Sequence, residues 1–87
     1  MTVAHVPGCS DVRVAYSIGR KVGSAVVRNR LRRRLRAAVR DLDVTSGGLP
    51  TGDYLVTLRP EAAQRTYREL HNDLGDAIAA AAGKAPR

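Results

Sequence analysis

The sequence predicts an α+β domain, a small sheet with packed helices in the order β-β-α-β-α. Three observations carry that expectation. Short segments alternate apolar and polar residues with period two, two longer segments repeat apolar residues at helical spacing, and 87 residues leave room for one core. A chain of this size buries roughly 60–70% of its unfolded surface. It has no Trp and no Phe, so the core must be aliphatic. No repeat or low-complexity linker divides residues 1–87, which read as a single domain.

Thr2 to Val6 is expected as a short edge strand, closed by Pro7-Gly8. From Val12 to Ile18, Val12, Val14, Tyr16 and Ile18 alternate with Arg13, Ala15 and Ser17, the pattern of a half-buried strand. A helix follows from about Ser24 to Asp43, with Val27, Leu31, Leu35, Ala38, Val39 and Leu42 on one arc. The loop Thr45 to Pro50 contains Gly47-Gly48 and leads into a strand over Asp53 to Arg59, with Tyr54, Val56 and Leu58 on one face and Pro60 ending it. Thr66 and Glu69 have the spacing of a capping box for a last helix, whose stripe is Tyr67, Leu70, Leu74, Ala77, Ile78 and Ala81. Gly83 is placed to stop it.

Fifteen Lys and Arg against eight Asp and Glu give a net charge of +7. Nine of the fifteen, Arg20, Lys21, Arg28, Arg30, Arg32, Arg33, Arg34, Arg36 and Arg40, fall in one stretch without an acid. The rest of the chain is nearly neutral, so the charge is a localised element on a neutral scaffold. Along the helix, Arg28/Arg32, Arg30/Arg34, Arg32/Arg36 and Arg36/Arg40 are like-charge pairs at i,i+4. Each costs a few tenths of a kcal/mol in isolation. A merely solvated face would mix signs, whereas an external polyanion offsets these costs through counterion release. Nucleic acid is the expected polyanion. A membrane surface is not, because the apolar arc is needed by the core and no apolar run approaches about 18 residues.

Cys9 is the single cysteine, so no internal disulfide is possible, and a reducing, cytoplasmic setting is expected. The N-terminus shows no signal-peptide pattern. His5 and His71 lie on different elements with no acid evidently placed to orient either, and they are expected as plain surface residues. No Cys/His cluster has metal-ligand spacing. Asp41 and Asp43 at the end of the basic helix oppose its dipole, with no evident reason.

The run from Tyr16 to Arg36, YSIGRKVGSAVVRNRLRRRLR, is similar to the signature of the bacterial ribonuclease P protein component: a strand, a basic K-x-V-G turn, and an A-V-x-R-N-R helix start. Asp53 to Val56, Arg59-Pro60 and Thr66-Tyr67 resemble the family's later elements, and the likeness runs from about Val3 to Ala82. The resemblance implies a left-handed β-α-β crossover, as in the ribosomal protein S5 domain 2-like fold, where physics alone favours the right-handed one. It implies that Arg28, Asn29 and Arg30 contact a catalytic RNA, that Arg32, Arg33, Arg36 and Arg40 extend the surface, and that Arg20 and Lys21 join it. It also implies a cleft for the single-stranded 5′ leader of precursor tRNA, with Tyr16 on its floor. Relatives begin with a further helix, which this sequence is expected to lack.

The function implied is that of a non-catalytic protein subunit in an RNA-based endonuclease that matures tRNA. No cofactor is expected on the protein alone, Mg²⁺ is expected with the RNA, and no protein partner is required. A free-standing nucleic-acid-binding module, or a truncated product impaired in leader binding, stays open as an alternative. A helix-turn-helix regulator would need a second helix soon after the basic one, where a Gly-rich loop and a strand are expected instead.

Overall fold

The segments expected as strands pair into one sheet in the computed structural model, which describes residues 1–8 and 11–82. The expectations for Cys9 and Gly83 lie outside those residues. The strands are β1 (Thr2–Pro7), β2 (Val12–Ser17) and β3 (Gly52–Thr57). Their order is β1-β3-β2, so the last strand in the chain is the central one. It runs antiparallel to β1, with Val3 opposite Val56 and His5 opposite Tyr54. It runs parallel to β2, with Val14 opposite Tyr54 and Tyr16 opposite Val56. Helix α1 (Ala25–Thr45) connects the two parallel strands, and α2 (Tyr67–Ala82) closes the described chain.

The local causes are readable. Ser24 is the N-cap of α1, its side chain accepting from the Val27 N–H at 3.4 Å. Gly23 precedes it because a Cβ there would stand 2.8 Å from Val27 Cγ1. At α2 the capping box is reciprocal: the Thr66 N–H donates to Glu69 Oε1 at 2.9 Å, and the Glu69 N–H donates to Thr66 Oγ1 at 3.1 Å. Gly47 and Gly48, with φ of 78° and 115°, turn the chain out of α1.

Both helices lie on one face of the sheet. Leu31, Leu35 and Ala38 of α1 and Leu70, Leu74 and Ile78 of α2 pack on Tyr54, Val56 and Leu58, and all are buried. Where the helices meet, Gly75 lets Leu42 in; a Cβ at that glycine would be 3.3 Å from Leu42 Cδ2. The opposite face, with Ala4, Val6, Arg13, Ala15, Asp53 and Leu55, is covered by nothing among the described residues.

Several expectations need correction. Two short 3-10 turns, Arg20–Val22 and Pro60–Gln64, stand where loops were expected and bury Val22 and Ala62. Helix α1 runs two residues past Asp43, and β3 begins at Gly52 and ends at Thr57. Tyr67 is 40% exposed and leans on the His71 ring instead of entering the core. Neither histidine is a plain surface residue. His5 stacks on Tyr54 with centroids 4.3 Å apart and bonds the Thr51 carbonyl through Nε2. His71 Nε2 meets Asp41 Oδ2 at 2.6 Å and ties α2 to α1.

Candidate RNA interface

Packing decides where the charge of α1 goes. Leu31, Leu35 and Ala38 take the inner face, so the arginines between them must point along the flanks or outward. Arg30, Arg33, Arg36 and Arg40 are exposed, and Arg32 and Arg34 are partly covered. Among the described residues, every salt bridge involves Arg13, Arg65 or His71, and none involves the nine cations between residues 20 and 40. No carboxylate among the described residues therefore neutralises them.

Arg28 sits lowest, half-buried beside the first turn of α1, and its Nε is buried without a hydrogen-bond partner. Such a donor costs free energy until something accepts from it. Asn29 Oδ1 accepts a hydrogen bond from Arg32 Nη1 at 3.1 Å. The 3-10 turn carrying Arg20 and Lys21 precedes Ser24 directly and contacts α1. Turn and helix together hold Arg20, Lys21, Arg28, Asn29, Arg30, Arg32, Arg33, Arg36 and Arg40 on one continuous element. The first turn of α1 carries no acid, so the positive end of its dipole adds to the same field.

Tyr16 stands elsewhere. Its β2 position opposite Val56 puts the ring on the helix-covered side, half-buried against the core and near Arg36 and Arg40. Burial raises its hydroxyl above the ordinary pKa of 10.0, while those two arginines pull it down. The surface without a helix is the other face of the sheet. There Ala4, Val6, Ala15 and Leu55 surround Arg13, whose Nε and Nη2 donate to the two Asp53 oxygens at 2.8 and 3.0 Å. This fork-to-fork pair holds the guanidinium at a fixed place on the face. Sequence reasoning missed it, although Arg13 and Asp53 both sit at polar positions of alternating strands.

The two acids at the end of α1 have structural partners. Asp41 binds His71, and Asp43 Oδ1 accepts the Leu49 N–H at 2.8 Å, fixing the loop after α1. Among the described residues no three His, Cys, Asp or Glu side chains come together in a way that could hold a metal ion. No described helix is long and apolar enough to cross a membrane.

Residues 1–82 match the family model described as Ribonuclease P. The chain is 49% identical over 79 residues to a ribonuclease P protein component of Salinispora tropica, covering 90% of this chain and 54% of that one. It is 48% identical over 65 residues to the corresponding protein of Thermus scotoductus, covering 75% of this chain and 37% of that one. The chain thus spans about half the length, or less, of these curated relatives. The Staphylococcus aureus RNase P protein structure shares the fold, with a TM-score of 0.77 at 24% identity over 92% of this chain and 72% of that one. A strand, a basic turn and an arginine-rich helix in this fold, with a family match over nearly the whole chain, place it: the chain belongs to the ribonuclease P protein component family.

Proposed function

We propose that the chain acts as the protein subunit of ribonuclease P, binding the catalytic RNA through α1 and the turn before it. In that role it assists endonucleolytic removal of the 5′ leader from precursor tRNA in the cytoplasm and supplies no catalytic residue. The observation that carries this reading is the unpaired cationic face of α1 in a member of this family. Arg28 and Arg30 lie on the first turns of that helix, and neither is in an ion pair among the described residues. Mg²⁺ belongs to the RNA in this reading.

The single-stranded leader needs a surface distinct from α1. The uncovered sheet face offers an apolar floor with one fixed guanidinium, a group that stacks on bases. Tyr16, at the sheet edge beside Arg36 and Arg40, would meet RNA that wraps round that edge. The α1 assignment is tested by titrating the catalytic RNA over a range of salt concentrations. Replacing Arg28 and Arg30 together by Ala should weaken binding and lower the salt slope by about 0.7–0.9 for each phosphate no longer neutralised. An unchanged slope would remove α1 from the interface.

A further inference from the structure

The chain has three tyrosines and neither Trp nor Phe. Tyr54 is 2% exposed, Tyr16 is half-buried, and Tyr67 alone of the three is exposed. Its neighbour fixes where that ring stands. His71 follows one turn later on α2, and its Nε2 donates to Asp41 Oδ2 of α1 at 2.6 Å. The two rings are 6.0 Å apart by centroid and tilted by 55°, so His71 does not stack on the tyrosine or use up its π-face.

Asp41 marks the flank of α1 that meets α2. At about 100° per residue, Arg34 and Arg30 lie within about 20° of its line, roughly two and three turns upstream. Asp41 meets His71, Leu42 packs on Gly75, and Ser46 shares a small cavity with Ala79, so the two helices run in the same general direction. Tyr67, one turn before His71, therefore lies alongside the part of α1 that leads back to Arg34. On α2 the exposed Arg68 projects on the His71 side, whereas Glu69 and Asp73 point away and pair with Arg65. The one acid of the two helices on this side, Asp41, is held by His71 and closes the far end of the groove.

An exposed π-face between cations on two helices is the combination that holds single-stranded nucleic acid. A duplex hides its base faces except at its ends. The solvent-facing neighbours of Tyr67 on α2 are Arg68 and His71, which give a protein partner no apolar patch. We propose that the groove between α1 and α2 binds one unpaired nucleotide of the catalytic RNA, its base stacked on Tyr67 and its flanking phosphates on Arg34 and Arg68. The proposal rests on the reading that α1 binds that RNA and adds a base-stacking subsite supplied by α2.

The test titrates the whole chain with the catalytic RNA. Tyr67→Leu keeps an apolar side chain and good helix propensity but removes the π-face. It should weaken binding by about fivefold to a hundredfold with the salt slope unchanged, because stacking releases no counterions. Arg68→Ala should lower the slope by about 0.7, the value for one phosphate of a single strand. Tyr67→Trp gives the chain its single Trp, whose fluorescence the catalytic RNA should quench and a fully paired RNA duplex should not. Should Tyr67→Leu fail to fold, the Tyr67→Trp fluorescence decides alone. Undiminished affinity of folded Tyr67→Leu, an unchanged slope in Arg68→Ala, or unchanged fluorescence of Tyr67→Trp would each overturn the subsite. Quenching by an isolated 5′ leader strand and not by the catalytic RNA would give the groove to the leader and also overturn it. If catalytic RNA still binds with an Arg28- and Arg30-dependent slope in those cases, the proposed function stands without the subsite. If no catalytic RNA binds at all, both fall.

Discussion

Asn29 is the one uncharged polar side chain between Arg28 and Arg36, and its Oδ1 holds Arg32 Nη1 at 3.1 Å. An amide can orient a guanidinium without neutralising it, which a carboxylate at the same place would do. The acids of α1 are spent farther along the helix. Asp41 faces His71 across the helix pair, and Asp43 anchors Leu49. Both contacts give these acids a structural use that offsets the weak penalty of an exposed acid near a helix C-terminus. Glu69 gives a pH-dependent prediction. The Thr66 backbone N–H lowers its pKa below the ordinary 4.5. A group whose pKa is depressed on folding stabilises fully above its unfolded value and loses that contribution as pH falls through its folded value. Acid titration followed by circular dichroism should show α2 fraying below about pH 4.5, and Glu69→Gln should remove part of that transition. A titration curve unchanged by the substitution would mean the box does not hold the helix end.

The register of α1 makes opposite demands on near neighbours. Leu35 is fully buried and Arg33 is exposed. Leu35→Ala should cost about 2–5 kcal/mol, and Arg33→Ala no more than about 0.5 kcal/mol. Denaturant melts in which both cost the same would refute this register. The period of the apolar residues made α1, α2 and β3 legible, because each buries one face against a single core. Period two also groups Tyr16 with Val12 and Val14, and the structure puts all three on the helix side. What sequence alone could not supply was non-local. Strand order depends on where α1 returns the chain, and the contacts of His5 and His71 reach 46 and 30 residues away. The 3-10 turns escaped because three to five residues carry no readable period.

On the scale of the molecule, the two helices share one face of the sheet and leave the other uncovered among the described residues, so the surfaces proposed for the catalytic RNA and for the leader lie apart. Exposed ion pairs contribute little to stability, about 0–1 kcal/mol, and Arg13 and Asp53 are well exposed. Arg13→Ala should therefore leave the fold and catalytic-RNA binding intact while shrinking the preference for precursor over mature tRNA. Filter binding with both tRNA forms would measure the ratio. A ratio equal to that of the unaltered chain would take the uncovered face out of leader recognition. The fork of Arg13 on Asp53 was not legible in the sequence, because the two residues lie 40 apart and meet only through the pairing of β2 with β3.

The strand order has a consequence during synthesis. Thr2 pairs with Thr57, and β1 and β2 never touch as neighbours; both wait for β3. A ribosome adding about 5–20 residues per second makes Arg40 roughly one to three seconds before Thr57. For that interval the nascent chain carries all nine clustered cations and no sheet to pack them against. Early helix formation near other RNA exposes Leu31 and Leu35 together with the arginines, and only the late, long-range closure by β3 turns a sticky polycation into a folded protein.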